Sequence, residues 1–386
     1  MAAAHILTYA KHLEGGGVER AMLRLAGGWL AAGRRVTLVV GRLSGPLVAE
    51  VPAGLEIVAL APETGGAVPP LARSVWPLRA VPRIVRERRP DLVFCPGNFY
   101  TSVAALTRLR LGHATPLTVG KMSNSIDRSD LGALGSLGNR AWLATHGRFL
   151  DHLVAMTPDT AAVAARALGM GARTSVIPNP PAQPIIGAAP LALPAGRFIL
   201  GVGRLVAQKR WDRLIAAMPA LADRDVSLLI LGEGERRAAL EAQVAELGLA
   251  ARVFLPGHGA DPLPAMARAA LVALPSDFEG VPGVLREALS VGTPVVATDS
   301  SPAVGEIVTS PALGNVVAAD DQAALVAALD HWLHPAAVRP APVPQPGADS
   351  TGRYLALFDR LVEERALSPV PPRSVPAAPI AAPARP

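Results

Sequence analysis

Short apolar runs alternate with helical patterns along almost the whole chain, and this alternation constrains the fold more than any other feature. In the first half the strand-like runs are HILTYA, RVTLVV, DLVFC and HLVAMT, and a helix is predicted from Val18 to Leu30. In the second half they are RFILGVG, SLLILG, RVFLPG, LVALPS and PVVATD. Such alternation is typical of parallel sheets with right-handed crossovers. We therefore predict an α/β protein with enough strands for two doubly wound sheets.

The chain is long enough for two domains, because 386 residues exceed what one hydrophobic core usually serves. A proline-rich stretch near 178–196 is the natural boundary between them. We predict two Rossmann-like domains that face each other across a cleft, the first over 1–184 and the second over 185–345. The Pro- and Ala-rich tail, 367–386, has nothing to pack against and is predicted to be disordered.

Cysteine usage and hydropathy favour a cytoplasmic protein. Cys95 is the only cysteine, so no internal disulfide forms, as is usual in a reducing compartment. The first residues lack the basic segment and the long apolar run of a signal peptide. The longest uncharged run, Thr174 to Gly196, is interrupted by prolines and suits a linker better than a membrane helix.

Charge is unevenly distributed between the two halves. Residues 1–180 carry 20 Lys and Arg against 11 Asp and Glu, a net +9, whereas the remainder carries a net −3. This favours an anionic partner for the first half, although a solvated helix face is an equal alternative. Neither zinc-ligand spacing nor an aromatic platform for nucleic acid is found, so an anionic membrane surface fits better. Five arginines concentrate the charge: Arg79, Arg83, Arg86, Arg88 and Arg89.

Two loops that follow predicted strands and open helices are suited to bind phosphate. In GGGVER, Gly16 and Gly17 let backbone N–H groups approach a ligand at the positive end of a helix. In VGRLVAQKRWD, Arg204 and Lys209 follow Gly203, and two cations at a strand end suit a diphosphate. A flexible turn and ordinary surface charge are the alternatives. Neither loop is a Walker A loop or a complete GxGxxG fingerprint.

A third loop, in SDFEGVPGVLREALSVGTPVVATD, places two glutamates around a helix start. Proline at the first turn and Gly292 near the end predict a helix over about 282–291. Glu279 precedes this helix and Glu287 lies inside it. The two carboxylates can accept hydrogen bonds from hydroxyls on either side of a phosphate, which is the layout of a sugar nucleotide. The phosphate would bind the backbone amides at the positive end of the helix, those of Val281, Gly283 and Val284.

These motifs together resemble the family 4 glycosyltransferases, which have the GT-B fold. The family pattern of two glutamates before G-x-P-V-V-A stands here as EGVPGVLREALSVGTPVVA. Arg204 and Lys209 match its Arg-x4-Lys diphosphate pair, and VIPNP, LGEGE and GGGVER stand in their usual places. The resemblance covers roughly residues 5–335 and is stronger in the second half. It also implies that a C-terminal helix, 346–366, packs back on the first domain.

The resemblance implies a role for each matching residue in a retaining transfer. Glu279 would contact the donor sugar near the reacting carbon, and Glu287 would hold the ribose hydroxyls. Arg204 and Lys209 would stabilise the charge that develops on the leaving diphosphate. No separate base for an inverting attack is expected.

The resemblance implies further contacts with the donor from both domains. Gly16 and Gly17 would approach the diphosphate from the first domain. Gly257 and His258, which follow the strand VFLP, would lie near the base. For a single histidine such as His258, a purely structural role is the alternative.

The sequence departs from the family in the first domain. Many members carry a histidine near the donor sugar in the segment that corresponds to LTVGKMSNSIDRSD, and here none occurs between His113 and His146. Lys121, Ser123 and Asn124 stand in that segment instead. We expect Asn124 to bond a sugar hydroxyl and Lys121 to meet an anionic acceptor.

No metal or other cofactor is expected beside the donor. Asp223 to Asp225 spell the Asp-x-Asp signature of metal-dependent glycosyltransferases. They lie between a helix and the start of a strand, away from the strand ends that bind ligands, so we interpret them as a solvated turn. GT-B enzymes usually work without a bound metal, because basic residues and a helix end replace it.

We therefore predict a retaining glycosyltransferase that moves a hexose-type sugar from a nucleoside-diphosphate sugar to a glycan or lipid-linked acceptor. Bacterial surface polysaccharide or lipopolysaccharide synthesis would be its setting, in the cytoplasm or peripherally on the inner face of the membrane. The alternatives are a sugar-nucleotide epimerase of the same fold and a non-catalytic sugar-nucleotide-binding protein. A dinucleotide-dependent oxidoreductase is disfavoured, because no complete GxGxxG is present.

Overall fold

A computed structural model describes residues 1–60, 80–123, 133–185, 190–259 and 261–367. Within them, seven parallel strands form a first sheet in the order β3-β2-β1-β4-β5-β6-β7. The sheet is open, and the direction of its strand order reverses beside β1. This is the arrangement of a doubly wound domain. The strands are β1 (His5–Ala10), β2 (Arg35–Val40), β3 (Glu56–Ala59), β4 (Leu92–Cys95), β5 (Leu117–Lys121), β6 (His152–Ala155) and β7 (Thr174–Val176).

The described residues of the second half form another parallel sheet, of six strands, in the order β10-β9-β8-β11-β12-β13. The direction of its strand order reverses beside β8, so the two sheets have the same topology. The predicted fold class is therefore confirmed. The strands are β8 (Phe198–Val202), β9 (Ser227–Leu231), β10 (Val253–Gly257), β11 (Leu271–Leu274), β12 (Val295–Thr298) and β13 (Gly314–Val317).

Helices cover the faces of both sheets, which is what near-continuous apolar strands require. Those of the first half are α1 (Gly17–Ala31), α2 (80–88), α3 (Thr101–Leu111), α4 (Ala133–Leu143) and α5 (Pro158–Leu168). Those of the second half are α6 (Trp211–Ala217), α7 (Arg237–Glu246), α8 (Leu263–Arg268), α9 (Gly283–Ser290), α10 (Pro302–Ile307), α11 (Gln322–Leu333) and α12 (Ser350–Leu367). None of these helices has the length and hydropathy needed to cross a membrane.

The last helix, α12, belongs to the first sheet rather than to the second. Its Tyr354 and Phe358 are fully buried against Trp29 of α1 and Phe94 of β4. The rings meet mainly edge to face, with centroids 5.3 Å apart for Trp29 and Phe358 and 5.5 Å apart for Phe94 and Tyr354. The chain therefore leaves the first sheet after β7 and returns to it at α12.

Two linkers join the halves, and the first is bonded both to the second and to the start of α12. The Ser350 hydroxyl donates to the Pro178 carbonyl at 2.7 Å, and the Ala182 amide donates to the Gln345 side chain at 3.1 Å. The predicted domain limits at 184 and 345 fall within these linkers and stay predictions. The predicted tail lies outside the described residues, except for Leu367, the last residue of α12.

Candidate functional site

A cleft of about 300 Å³ separates the two sheets, and the loops at the carboxyl ends of their strands line it. Parallel sheets bind ligands at this edge, and the volume is at the lower limit for small-molecule sites. Gly257 is next to a lining residue, and Asn124 lies outside the described residues. Of the site residues predicted from sequence, those that line the cleft are Gly16, Gly17, Lys121, Gly203, Arg204, Lys209, His258, Glu279, Val281, Gly283, Val284 and Glu287.

Lys209 and Glu279 form an ion pair inside the cleft. The Lys209 ammonium lies 2.5 Å from one carboxylate oxygen of Glu279, and the Ser276 hydroxyl donates to the same oxygen at 2.6 Å. Glu279 is only 7% exposed. A ligand phosphate that binds Lys209 must therefore share the ammonium with this carboxylate, which the sequence does not reveal.

A set of contacts that the motifs do not reveal holds the loop with Lys209 and the loop with Glu279 together. The Asp277 amide donates to the Gln208 carbonyl at 2.9 Å, and the Gln208 side chain donates to the Phe278 carbonyl at 2.6 Å. Arg210 bonds Asp212 and Asp277 at once, and its bonds to Asp212 raise the pKa of its guanidinium. The two loops thus form one continuous, hydrogen-bonded wall of the cleft.

Arg204 is positioned through its backbone, whereas its side chain is exposed. The Trp211 indole donates to the Arg204 carbonyl at 2.9 Å. The preceding Gly203 has φ of +156°, in the region that favours glycine. Among the described residues, no carboxylate lies within ion-pair distance of Arg204. Its guanidinium is therefore available to an anionic ligand in the cleft.

The start of α9 offers free backbone amides to the cleft. Pro282 is the N-cap residue, and no described side chain caps the first turn, which begins at Gly283. Gly292, with φ of +71°, follows the end of the helix. The predicted helix over 282–291 is thus observed one residue shorter at each end. Its uncapped N-terminus, with the macrodipole, can hold a phosphate or a sugar oxygen.

Glu287 faces Arg24 of α1 from the other side of the cleft. Their closest charged atoms, Nη1 of Arg24 and Oε1 of Glu287, are 4.0 Å apart. Burial raises the pKa of the Glu287 carboxyl, and Arg24 and Arg20 partly oppose that effect. Burial also lowers the pKa of Arg24. Arg24 was not predicted, and no sequence motif marks it.

The glycine loop holds a carboxylate of its own at the start of α1. A Cβ on Gly16 would come within 2.4 Å of Oε2 of Glu19, so the glycine makes room for this side chain. The other oxygen of Glu19 accepts from the Tyr100 hydroxyl at 2.9 Å. A diphosphate that approaches Gly16 and Gly17 therefore meets a negative charge. Glutamate three residues after the N-cap is the signal that would have revealed it.

His258 lies against the glycine loop across the cleft. A Cβ on Gly15 would be 3.1 Å from Cε1 of His258, so the ring is in close contact with the first domain. Gly257 has φ of +101°, and a Cβ there would come within 2.9 Å of Glu233, which is ion-paired with Arg237. Burial, followed by the charge of Arg20, lowers the pKa of His258. Both effects favour the neutral form of the ring.

Lys121 ends β5 on the wall of the first domain and is only 2% exposed. Burial lowers the pKa of its ammonium to about 8, and the charge of Glu19 acts in the opposite direction. Among the described residues, the side chain of Lys121 has no hydrogen bond or ion pair, whereas its backbone pairs with β6. Nearby, the Ser123 amide donates to the Asn98 side chain at 2.8 Å. Lys121 is thus a buried cation that faces the cleft without a bonded partner.

Two other sequence features lie away from the cleft. Asp223 and Asp225 belong to the turn before β9, where the Asp225 amide donates to the Asp223 side chain at 3.0 Å. Within the described residues, no group of three His, Cys, Asp or Glu side chains could hold a metal. In the arginine cluster, Arg83 pairs with Glu87 and Arg88 with Glu56, and Arg79 lies outside the described residues.

Two Rossmann-like domains with a cleft between their strand ends define the GT-B class of protein. Family models match both domains: residues 15–180 match Glycosyltransferase Family 4, and residues 190–339 match Glycosyl transferases group 1. Together these matches cover most of the chain. The chain belongs to the family 4 glycosyltransferases of the GT-B fold.

Several other glycosyltransferases are similar in sequence to parts of the chain. A 2-deoxystreptamine glucosyltransferase of Streptomyces kanamyceticus is 37% identical over 164 residues, which are 38% of this chain and 42% of that protein. An N-acetylgalactosaminyltransferase of Campylobacter jejuni, named for a diphospho-undecaprenol substrate, is 40% identical over 111 residues, which are 29% of this chain and 30% of that protein. The chain thus spans less than half the length of these relatives.

Among solved structures, HepE of Anabaena in complex with UDP and glucose superposes with a TM-score of 0.68. The match covers 94% of this chain and 99% of that one, at 18% sequence identity. At this identity the likeness shows the fold alone, and it extends over both domains.

Proposed function

We propose that the protein is a retaining glycosyltransferase that moves a hexose-type sugar from a nucleoside-diphosphate sugar to a glycan or lipid-linked acceptor. One observation carries the proposal: two carboxylates, two cations and a free helix N-terminus share one wall of the cleft. They are Glu279, Glu287, Arg204, Lys209 and the start of α9. A sugar nucleotide offers hydroxyls, a diphosphate and further hydroxyls in the matching order.

In this proposal each group acts on a defined part of the donor. Glu287 accepts bonds from the ribose hydroxyls, and Glu279 accepts from the sugar. Arg204, Lys209 and the amides of α9 stabilise the charge on the leaving diphosphate, as preorganised donors do in many enzymes. They would supply the positive charge that a metal supplies elsewhere, so we propose a metal-independent reaction.

The transfer breaks the bond between the sugar C1 and the diphosphate oxygen and forms one between C1 and the acceptor oxygen. Retention places the acceptor on the face from which the diphosphate departs. The proton of the acceptor hydroxyl then passes to the departing phosphate oxygen. The acceptor approaches along the wall of the first domain, where Lys121 lies and where Asn124 is predicted.

The similar proteins support a nucleotide-sugar donor and leave its base open. UDP is bound in the Anabaena structure, and the Campylobacter relative is named for a lipid-linked substrate. We extend both to this chain as proposals, with bacterial polysaccharide or lipopolysaccharide synthesis as the setting. Epimerisation and non-catalytic binding remain the alternatives that the experiment below must separate.

We also propose that the first domain associates peripherally with an anionic membrane surface on the cytoplasmic side. Arg86 and Arg89 of the arginine cluster are exposed, and they support this part. Liposome sedimentation tests it. Binding to vesicles with anionic lipid and not to neutral ones is expected, and equal binding to both would remove the membrane from the proposal.

A thermal-shift panel with UDP, GDP, ADP, NAD and the corresponding sugar nucleotides tests the donor site. A ligand at about 100 times its Kd stabilises a protein by roughly 2.7 kcal/mol, a shift of several degrees. We expect a shift with one nucleoside diphosphate that is lost in Arg204→Ala and Glu287→Ala. Arg166→Ala, an exposed arginine of α5, is the matched control and should behave as the wild type.

The remaining outcomes separate the alternatives. A shift with NAD alone would contradict a transferase. A changed sugar nucleotide in the absence of acceptor would indicate epimerisation. Binding without turnover on any acceptor would indicate a non-catalytic protein.

A further inference from the structure

A buried ammonium without a partner destabilises a folded protein, because it loses its hydration and gains no compensating bond. Lys121 is close to this position: the residue is 2% exposed and lines the cleft, and its side chain makes no hydrogen bond or ion pair with the described residues. A ligand in the cleft is the natural source of the missing partner.

The charges around Lys121 leave this wall open to an anion. Glu19 is the carboxylate whose charge acts on Lys121, and one of its oxygens already accepts from Tyr100. Arg204 of the second domain lines the same cleft as Lys121. Lys121 and Arg204 therefore present positive charge to the cleft from its two domains.

The place of Lys121 in the fold indicates whether the donor or the acceptor supplies the anion. Apart from Gly16 and Gly17 of the glycine loop, the residues that match the donor-binding motifs lie on the second domain, whereas Lys121 ends β5 of the first domain. Resting on the proposed transferase function, we propose that Lys121 binds an anionic group of the acceptor, a phosphate or a carboxylate, close to the hydroxyl that receives the sugar. The acceptor is thus an acidic glycan or a phosphorylated carrier.

The protonation state of Lys121 agrees with this role. Its pKa of about 8 keeps the ammonium charged at pH 7 and lets it lose its proton by pH 9. Burial raises the pKa of the neighbouring Tyr100, which stays neutral over this interval. Affinity for an anion should fall about tenfold between pH 7 and pH 9, as the protonated fraction of the lysine does.

Calorimetry on the full chain, saturated with the nucleoside diphosphate found in the thermal-shift panel, tests the inference. The probes are glycerol 3-phosphate, methyl glucuronide and neutral methyl glucoside. At least one anionic probe should bind more tightly than the neutral one, and which of the two does so distinguishes a phosphate from a carboxylate.

Three variants define the contribution of Lys121. Lys121→Met should weaken the anionic probe about tenfold or more, because a charged hydrogen bond is lost. Lys121→Arg keeps the charge, so it should retain binding and remove the decline towards pH 9. Arg110→Gln, which removes one exposed positive charge from α3, should change nothing.

The two proposals fail in different ways. If no nucleotide binds the wild type, the transferase proposal fails. If nucleotide binds equally to wild type and Lys121→Met, yet anionic probes bind no better than methyl glucoside, the anionic acceptor is overturned. It is also overturned if an anionic probe binds Lys121→Met as tightly as the wild type.

Discussion

Lys209 and Glu279 neutralise each other across 2.5 Å inside the cleft, and this pairing makes their substitution informative. Removal of one partner leaves the other buried without a counter-charge, which costs several kcal/mol. We predict that Lys209→Met lowers the free energy of unfolding by roughly 3 kcal/mol and the transfer rate by about 100-fold or more. Urea unfolding and a transfer assay measure the two effects.

The double variant separates stability from chemistry. Lys209→Met with Glu279→Gln removes both charges, so stability should return towards that of the wild type while activity stays low. If activity recovered together with stability, the lysine would be a structural residue and not a ligand of the diphosphate.

The proposed role of Glu287 predicts that nucleotide affinity depends on pH. Burial raises the pKa of its carboxyl. In the proposed complex, the ionised form of this carboxyl accepts the bonds of both ribose hydroxyls. Nucleotide affinity should therefore fall as the pH decreases from neutral and the carboxylate gains a proton, at a higher pH than for an ordinary glutamate. Glu287→Gln should bind more weakly at pH 7 and show no such decline. Calorimetry at several pH values measures both, and an identical pH profile in the two proteins would contradict the assignment.

Lys121 should make the protein more stable at alkaline pH. Its folded-state pKa of about 8 lies below the ordinary value of 10.5, so the unfolded chain binds more protons between these two values. The free energy of unfolding should rise by roughly 3 kcal/mol from pH 8 to pH 10.5. Lys121→Met should be more stable than the wild type at pH 7 and lack this rise. Urea unfolding at each pH is the measurement.

At the scale of the element, α12 is the helix whose packing can be tested most directly. Phe358 is fully buried and contacts Trp29, Phe94 and Tyr354. Phe358→Ala should cost about 3 to 5 kcal/mol of stability, because a cavity replaces the ring. Arg360→Ala, on the exposed side of the same helix, should cost less than about 1 kcal/mol. Equal effects of the two would contradict the packing.

Strand prediction succeeded where apolar runs are long, as in β1, β2, β8 and β9. It missed β3, β5, β7 and β13, which are short or contain residues with low strand propensity. β5 is the clearest example, since Gly120 and Lys121 stand in a central, buried strand. Its neighbours β4 and β6 supply its hydrogen bonds on both edges, and such tertiary pairing overrides local propensity.

The motifs identified many of the residues that line the cleft but not how they pair with each other. Lys209 and Glu279 are 70 residues apart, and Tyr100 and Glu19 are 81 apart. Arg24 and Glu287 belong to different domains. Contacts at these separations depend on the way the sheets fold, and a single sequence contains no spacing rule for them.

At the scale of the whole molecule, the second domain lies between two parts of the first. The segment 178–349 contains its complete sheet and core, whereas 1–177 lacks α12. We predict that 178–349 unfolds cooperatively alone, and that its thermal shift with nucleotide is smaller because the residues of α1 are absent. Calorimetry and the nucleotide panel measure this.

The isolated segment 1–177 should behave differently. It should aggregate, because Trp29 and Phe94 would be exposed to solvent. Coexpression with a segment that contains α12 should restore a soluble complex. A monomeric, cooperatively folded 1–177 would contradict this division.

The return of α12 to the first sheet also sets the order in which the protein matures on the ribosome. The first half leaves the exit tunnel early and must wait for its last helix while residues 178–349 are made, a delay of roughly 10 to 30 s at usual rates of translation. During that time the nascent first domain has an open aromatic core, and the second domain can already fold. A message truncated shortly before codon 350 would therefore yield a chain with a finished second domain and an incomplete first domain that chaperones and proteases recognise.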